Sequence, residues 1–232
     1  MKTALLLLAT GSKYEQYIQP LVDSAERFFP AHDTFIWSER TPDAAKVGSR
    51  VFAFHKEPLG YPNETLHRYH TFLTQEKLLR EYDYLYYCDI DMLFVAPING
   101  EEIFSDGITA TLHPGYVGMR GTPERRPEST AFCNSNIAYY CGGFQGGNAK
   151  AYLDAARWMA ANIDEDEKRG IVAEWHDESH WNRYLAANPP AKTLTPEYCY
   201  PEDANEYYKN IWRRAGLEVK PKIIAITKRG GR

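Results

Sequence analysis

Two carboxylates interrupt the run Tyr84-Leu85-Tyr86-Tyr87-Cys88-Asp89-Ile90-Asp91-Met92-Leu93-Phe94. Its flanks are apolar and aromatic and read as a strand. Side chains two apart on a strand share a face, so Asp89 and Asp91 point the same way. Two like charges about 4 Å apart repel by roughly 4 kcal/mol at an effective dielectric of about 20. A cation between them removes that repulsion. Oxygen ligands of this kind suit Mg²⁺ or Mn²⁺, which favour phosphate oxygens as further ligands. The pair therefore points to a metal site for a diphosphate. A solvated strand end is the plainer alternative, and the apolar flanks weigh against it.

A second cluster is Trp175-His176-Asp177-Glu178-Ser179-His180-Trp181. His176 and His180 would share a helix face, but a zinc protease needs Glu directly after the first His, and Asp177 stands there. Acidic residues in a first helical turn favour the helix dipole. The density of Trp, His and acid here exceeds what capping needs. A carboxylate held beside aromatics can act as nucleophile or as acid/base. Third is Tyr139-Tyr140-Cys141-Gly142-Gly143-Phe144-Gln145-Gly146-Gly147, whose glycines let a ligand approach the backbone. A bulged strand and turn is the alternative, and the run matches neither G-x-G-x-x-G nor a P-loop. Fourth, Glu124-Arg125-Arg126-Pro127 and the tail cations Lys228, Arg229 and Arg232 could close over phosphates, or could simply be solvated charge.

Strand-like and helix-like segments alternate around these clusters. Residues 4–9, 34–37, 51–54, 84–88, 92–96, 108–112 and 222–226 read as strands. Residues 21–29, 65–80 and 149–162 carry helical spacing, and a further helix begins near Asp177. Residues 164–169 read as an acidic turn and 114–136 as a long irregular segment, a length often tied to function. The alternation predicts an α/β fold in one domain over 1–232, with helices on both faces of a mixed, mostly parallel sheet. Ligands of such sheets sit at the carboxyl ends of strands, where Asp89 and Asp91 fall.

The bulk numbers fit an ordinary globular protein, with 44% hydrophobic and 25% charged residues in 232. A net charge of −4 gives no reason to expect nucleic acid. The 17 Tyr and 5 Trp suit surfaces that stack on sugars and bases. The four cysteines form no C-x-x-C pair and suggest reduced thiols in a cytoplasmic protein. Ala4–Ala9 is short for a signal sequence and reads as a buried strand, and no stretch reaches the roughly 20 apolar residues of a membrane span.

Several of these segments fall in one order: Ser12-Lys13-Tyr14, Asp89-Ile90-Asp91-Met92, Thr111-Leu112-His113-Pro114-Gly115-Tyr116, Glu124–Pro127, Tyr139–Gly147, Trp175–His180 with Asn182 and Tyr184, and Thr195-Pro196-Glu197-Tyr198. In that order the chain resembles the family 6 retaining glycosyltransferases, which include the histo-blood-group A and B transferases and α-1,3-galactosyltransferase. Leu59-Gly60-Tyr61-Pro62 resembles the short bacterial members in particular. The resemblance implies a GT-A, Rossmann-like fold. It implies transfer of N-acetylgalactosamine or galactose from a UDP-sugar to the 3-hydroxyl of a β-galactoside in α-linkage, with Mn²⁺ or Mg²⁺ as cofactor because both aspartates of the D-x-D motif are kept.

By position, the resemblance puts Tyr14 on uracil with Ala9 and Thr10 beside it, and Arg68 near the diphosphate. Asp89 would contact ribose and metal, and Asp91 the metal. His113, Thr122, Trp175 and Glu178 would meet the acceptor. His176 and Asp177 would hold the donor sugar, Glu178 would lie beneath its anomeric carbon, and Lys228 and Arg232 would close on the diphosphate. Cys141, Gly142 and Gly143 would tune donor choice, the small Gly143 leaning towards UDP-GalNAc over UDP-galactose. The chain departs from the blood-group pattern at Pro201, where an acceptor-binding Asp stands in those enzymes and Glu202 is the nearest substitute. Two readings from other classes stand beside this one: a phosphatase using one Asp of the pair as nucleophile, and a non-catalytic carbohydrate-binding module.

Overall fold

A computed structural model describes residues 1–48, 50–134 and 138–227. Among the described residues, the strands are β1 (Thr3–Ala9), β2 (Asp33–Ser38), β3 (Val51–His55), β4 (Tyr84–Cys88), β5 (Met92–Phe94), β6 (Ile108–Leu112), β7 (Tyr140–Asn148), β8 (Lys192–Leu194), β9 (Tyr200–Pro201) and β10 (Ile223–Ala225). The helices are α1 (Ser12–Glu15), α2 (Ile18–Phe28), α3 (Ala44–Val47), α4 (Asn63–Leu66), α5 (Arg68–Leu73), α6 (Glu76–Leu79), α7 (Gly100–Ile103), α8 (Ala149–Lys168), α9 (His176–Ala187) and α10 (Glu206–Arg214).

The central sheet runs β3-β2-β1-β4-β7-β6-β8. Its strands are parallel except β7, which lies antiparallel to both β4 and β6. This is the mixed, mostly parallel sheet of a GT-A-like fold. β1 is buried along its whole length, as a strand covered on both faces must be. Its alternate residues feed two cores. Leu6 and Leu8 pack with α5, α8 and α9 on one face, and Leu5, Leu7 and Ala9 pack with α2 and the β5–β10 ribbon on the other. The chain leaves β1 towards β2 and β3 on one side and returns to β4 on the other. The strand order thus reverses between β1 and β4, the crevice where open α/β sheets bind ligands.

Two expectations are corrected. The segment 65–80 is not one helix but three short ones, α4 to α6. The backbone leaves helical geometry at His67 (φ −95°, ψ 19°) and Gln75 (φ −113°, ψ 22°). Thr71 and Thr74 turn their hydroxyls onto the carbonyls of His67 and Thr71, a local competition with the helical ladder. The acidic run 164–169 is not a turn, since α8 continues through Lys168. Buried Asp166 accepts from Ser129 Oγ at 2.6 Å and from the Thr130 N–H at 2.7 Å, and so holds the last helical turn against the long segment. The glycine-rich run forms one nine-residue inner strand whose pairing with β6 is irregular between Ala110 and Leu112. Gly146 and Gly147 are required there, because a Cβ would come within 2.3 Å of Leu85 O or 2.2 Å of Gly107 O.

Candidate active site

β4 ends at Cys88, so Asp89 and Asp91 sit in the tight connection to β5 rather than on a strand. They nevertheless line one cleft of about 370 Å³ at the carboxyl ends of β1 and β4, with Thr10, Tyr14, Tyr61, Glu64, Tyr87 and Arg68. Asp89 is fixed from two sides. Its N–H donates to Gly143 O at 2.8 Å, and its Oδ1 accepts from the Tyr87 hydroxyl and, at 3.4 Å, from Arg68 Nη1. The Asp91 carbonyl accepts from the Ile226 N–H at 2.9 Å, which moors the segment after β10 to the acidic turn.

A smaller recess of about 170 Å³ shares Arg68, Asp89, Tyr61 and Thr65 with the cleft and adds Gly142, Gly143, Trp175, His176, Asp177 and Glu178. Arg68 stands at the junction. It is buried, its guanidinium lies 4.4 Å above the Tyr87 ring, and Nη1 donates to Gly142 O at 3.1 Å. Asp177 and Glu178 occupy the first turn of α9, where the helix dipole favours negative charge. Glu178 is held by both oxygens. Oε1 accepts from the Tyr139 hydroxyl and Oε2 from the Gly142 N–H, each at 2.8 Å. Burial raises the Glu178 pKa, and these two donors and Arg68 oppose the rise. Burial also lifts Asp177 to about 7, with Arg68 pulling the other way.

His176 enters the helix with φ +49°, a left-handed conformation rare for a side-chain-bearing residue. Tyr61, 82% exposed, meets its ring edge-on at 5.2 Å. Asn182 locks α9 to β7, accepting from the Tyr140 N–H and donating to Tyr140 O, both at 2.8 Å.

On the far side of Tyr139 lie His113, with ring centroids 5.7 Å apart, and Thr122, whose side chain opposes the rise that burial gives the Tyr139 pKa. Burial lowers His113 to about 4, and its Nδ1 accepts from the Gly115 N–H, so the neutral ring carries its proton on Nε2. Trp175 is 46% exposed at the recess edge.

The residues expected at the site therefore come together, with exceptions. Ala9 is buried in the apolar core and does not line the cleft. Cys141 is buried against Cys199 beneath the recess. Arg125 and Arg126 are no phosphate clamp, since Arg125 donates to Cys133 O and Arg126 is bound to Glu124. Glu202 accepts from the Thr227 N–H and is occupied in tethering the C-terminal segment. Lys228, Arg229 and Arg232 lie outside the described residues.

Glu64 was not legible as a site residue. It reads as a surface carboxylate opening a helix, yet it accepts from Thr10 Oγ1 at 2.7 Å, from Lys56 Nζ at 3.2 Å and from the N–H groups of Leu59 and Gly60. It thereby pins the loop carrying Tyr61 to the end of β1. No local pattern signals contacts made over such distances.

Asp89 and Asp91 offer hard oxygen donors to one cleft, which fits a divalent cation. Among the described residues no group of three or more His, Cys, Asp and Glu could hold a metal alone. Two carboxylates completed by substrate phosphates and water are how Mg²⁺-type ions bind in such sites.

Fold and cleft together are of the GT-A type. The family model described as glycosyltransferase family 6 matches residues 64–217, and the chain belongs to that family. It is 32% identical over 203 residues to histo-blood group ABO system transferase 1 of Rattus norvegicus, covering 81% of this chain and 58% of that protein. It is 34% identical over 203 residues to globoside alpha-1,3-N-acetylgalactosaminyltransferase 1 of Homo sapiens, with the same coverage. A shorter match, 41% over 58 residues, links it to human alpha-1,3-galactosyltransferase 2 and covers 25% of this chain and 17% of that protein. The chain thus spans under two thirds of the length of the first two relatives. No helix among the described residues is long and apolar enough to cross a membrane.

Proposed function

We propose that this chain is the catalytic unit of a retaining hexosyltransferase that moves N-acetylgalactosamine, or galactose, from its UDP-sugar to the 3-hydroxyl of a β-galactoside in α-linkage. The observation that carries the reading is the pair of joined recesses. A nucleotide-sized cleft holds Tyr14 and the two aspartates, a sugar-sized recess holds Asp177 and Glu178, and both share Arg68 and Asp89 where a diphosphate would lie. The names of the relatives support the sugar and linkage. Family membership leaves the phosphatase and binding-module readings without support.

Tyr14 stacks on the base. Asp89 and Asp91 would hold Mn²⁺ or Mg²⁺, which would supply Lewis-acid neutralisation of the departing diphosphate. Arg68 adds a fixed cation at the same junction, desolvated and therefore strong. Asp177 lines the sugar recess, its carboxylate set by the ion pair between Oδ2 and Arg68 Nε at 3.0 Å, and meets a hydroxyl of the donor sugar. His176 flanks the same sugar. Glu178, oriented by Tyr139 and Gly142, presents its carboxylate to the positive charge that grows at the anomeric carbon. The acceptor lies over Trp175, between it and the His113–Thr122 side.

The test is UDP release from UDP-GalNAc or UDP-galactose with Mn²⁺, with and without a β-galactoside. Acceptor-dependent release supports the proposal. Sugar binding without release, or phosphate release from simple esters, would replace it with one of the alternatives.

A further inference from the structure

Glu124 is a buried carboxylate with no part in the chemistry proposed above. Its side chain is 1% exposed. Oε1 accepts from the N–H groups of Arg125 and Arg126 at 2.9 Å and from Arg126 Nε at 3.0 Å. Oε2 accepts from Arg126 Nη2 and from the Glu174 N–H, each at 2.7 Å. All these donors but one belong to its own turn. The exception, Glu174, lies 50 residues on and directly precedes Trp175. Arg126 makes a second crossing to the same stretch, where Nη2 donates to Val172 O at 2.6 Å.

In the other direction the chain runs straight to the Tyr139 ring. Gly121, at φ +65°, lies so close that a Cβ would be 2.3 Å from Tyr139 Cγ. Thr122 follows directly, so this stretch packs beside the ring whose hydroxyl orients Glu178. One saturated carboxylate thus joins the backbone beside Thr122 to the backbone beside Trp175. Buried and fully paired, such a network specifies one geometry, because any displacement leaves charged and polar groups unpaired.

We infer that Glu124 is a positioning residue that fixes the spacing between Thr122 and Trp175, and through it the fit of the acceptor, without touching either substrate. The inference rests on the proposal that the acceptor lies between those side chains. The donor cleft is lined by other segments, so nucleotide binding is left alone.

The experiment compares the parent with Glu124→Gln and with Glu124→Asp, which keeps the charge but shortens the reach to Glu174. Ser129→Ala is the control. Ser129 holds the same long segment through Asp166 and does not meet Glu174. Acceptor KM, UDP affinity with Mn²⁺ and amide hydrogen exchange over residues 171–175 are measured. Both Glu124 variants should raise acceptor KM by about tenfold and speed that exchange by about tenfold, with UDP affinity within about twofold of the parent. Ser129→Ala should leave all three within about twofold. Unchanged acceptor KM alongside faster exchange would overturn the inference, as would an equal KM rise in Ser129→Ala. Unchanged exchange would remove the clip itself. A parent that transfers to no β-galactoside sinks the proposed function and the acceptor role together, while exchange still reports whether the clip exists.

Discussion

Arg68 Nε lies 3.0 Å from Asp177 Oδ2, with the two side chains 6% and 4% exposed. The contact is electrostatic without hydrogen-bond geometry, since that oxygen has no hydrogen-bond partner among the described residues. Arg68 directs Nη1 to Gly142 O and Asp89 instead. Removing one member of a buried pair leaves the other charge uncompensated and costs about 3–5 kcal/mol. Arg68→Met should therefore lower the Tm markedly and weaken UDP-sugar binding. Asp177→Asn should also lower the Tm, because it leaves the buried Arg68 guanidinium with the more distant, more exposed Asp89 at 3.4 Å, and should raise the donor KM. Thermal denaturation and donor titration check both variants.

Glu178→Gln keeps the shape of a side chain held at both oxygens, so the fold should survive. Transfer should fall by at least about 10²-fold, the loss typical of removing a nucleophile or a key fixed charge. Single-turnover measurement of sugar transfer checks this. A near-parental rate would remove Glu178 from the chemistry.

The four glycines of β7 should divide into two kinds. A Cβ on Gly146 would lie 2.3 Å from Leu85 O and 2.5 Å from Tyr86 Cδ1, so Gly146→Ala should destabilise the fold by about 3 kcal/mol or more. A Cβ on Gly142 would meet Asp177 Oδ2 and Glu178 Oε2 at 3.6 Å, ordinary contact distances inside the sugar recess. Gly142→Ala should fold normally and lose about tenfold or more in kcat/KM by displacing the donor sugar. Denaturant unfolding and donor kinetics on the two variants test the division.

Acid sensitivity should report on Glu124. Burial alone would raise its pKa, but Arg126 and the N–H groups of Arg126 and Glu174 outweigh burial and bring it down to about 2. A carboxyl depressed in the folded state stabilises above its unfolded pKa, and that contribution disappears as pH falls through the folded pKa. Relative to Glu124→Gln, the parent should hold a constant advantage of a few kcal/mol above about pH 5, closing between about 4.5 and about 2. Urea unfolding at stepped pH measures the gap.

The β/α alternation, the acidic pair at the β4 end and the helix starting at Trp175–Glu178 were legible because each rests on local pattern: periodicity, apolar flanks and acids in a first turn. The breaks at His67 and Gln75 were hidden because apolar spacing carries no record of Thr71 and Thr74 bonding backwards. The last turn of α8 was hidden because Asp166 meets Ser129 across 37 residues. Glu124 and Glu64 read as surface charge for the same reason. A buried carboxylate and a solvated one look alike until the fold supplies the donors. Charge alone left Arg125 and Arg126 open to phosphate or to solvent, while the structure directs them to Cys133 O and Glu124.

The central claim is that Asp89 and Asp91 grip a divalent cation that in turn grips a nucleotide diphosphate. Calorimetric titration of UDP into the parent and Asp91→Asn, with Mn²⁺ and with EDTA, tests it most directly. The account predicts at least about tenfold tighter UDP binding with Mn²⁺ in the parent and no such gain in the variant. Equal UDP affinity in Mn²⁺ and EDTA for the parent, or an undiminished gain in Asp91→Asn, would contradict it.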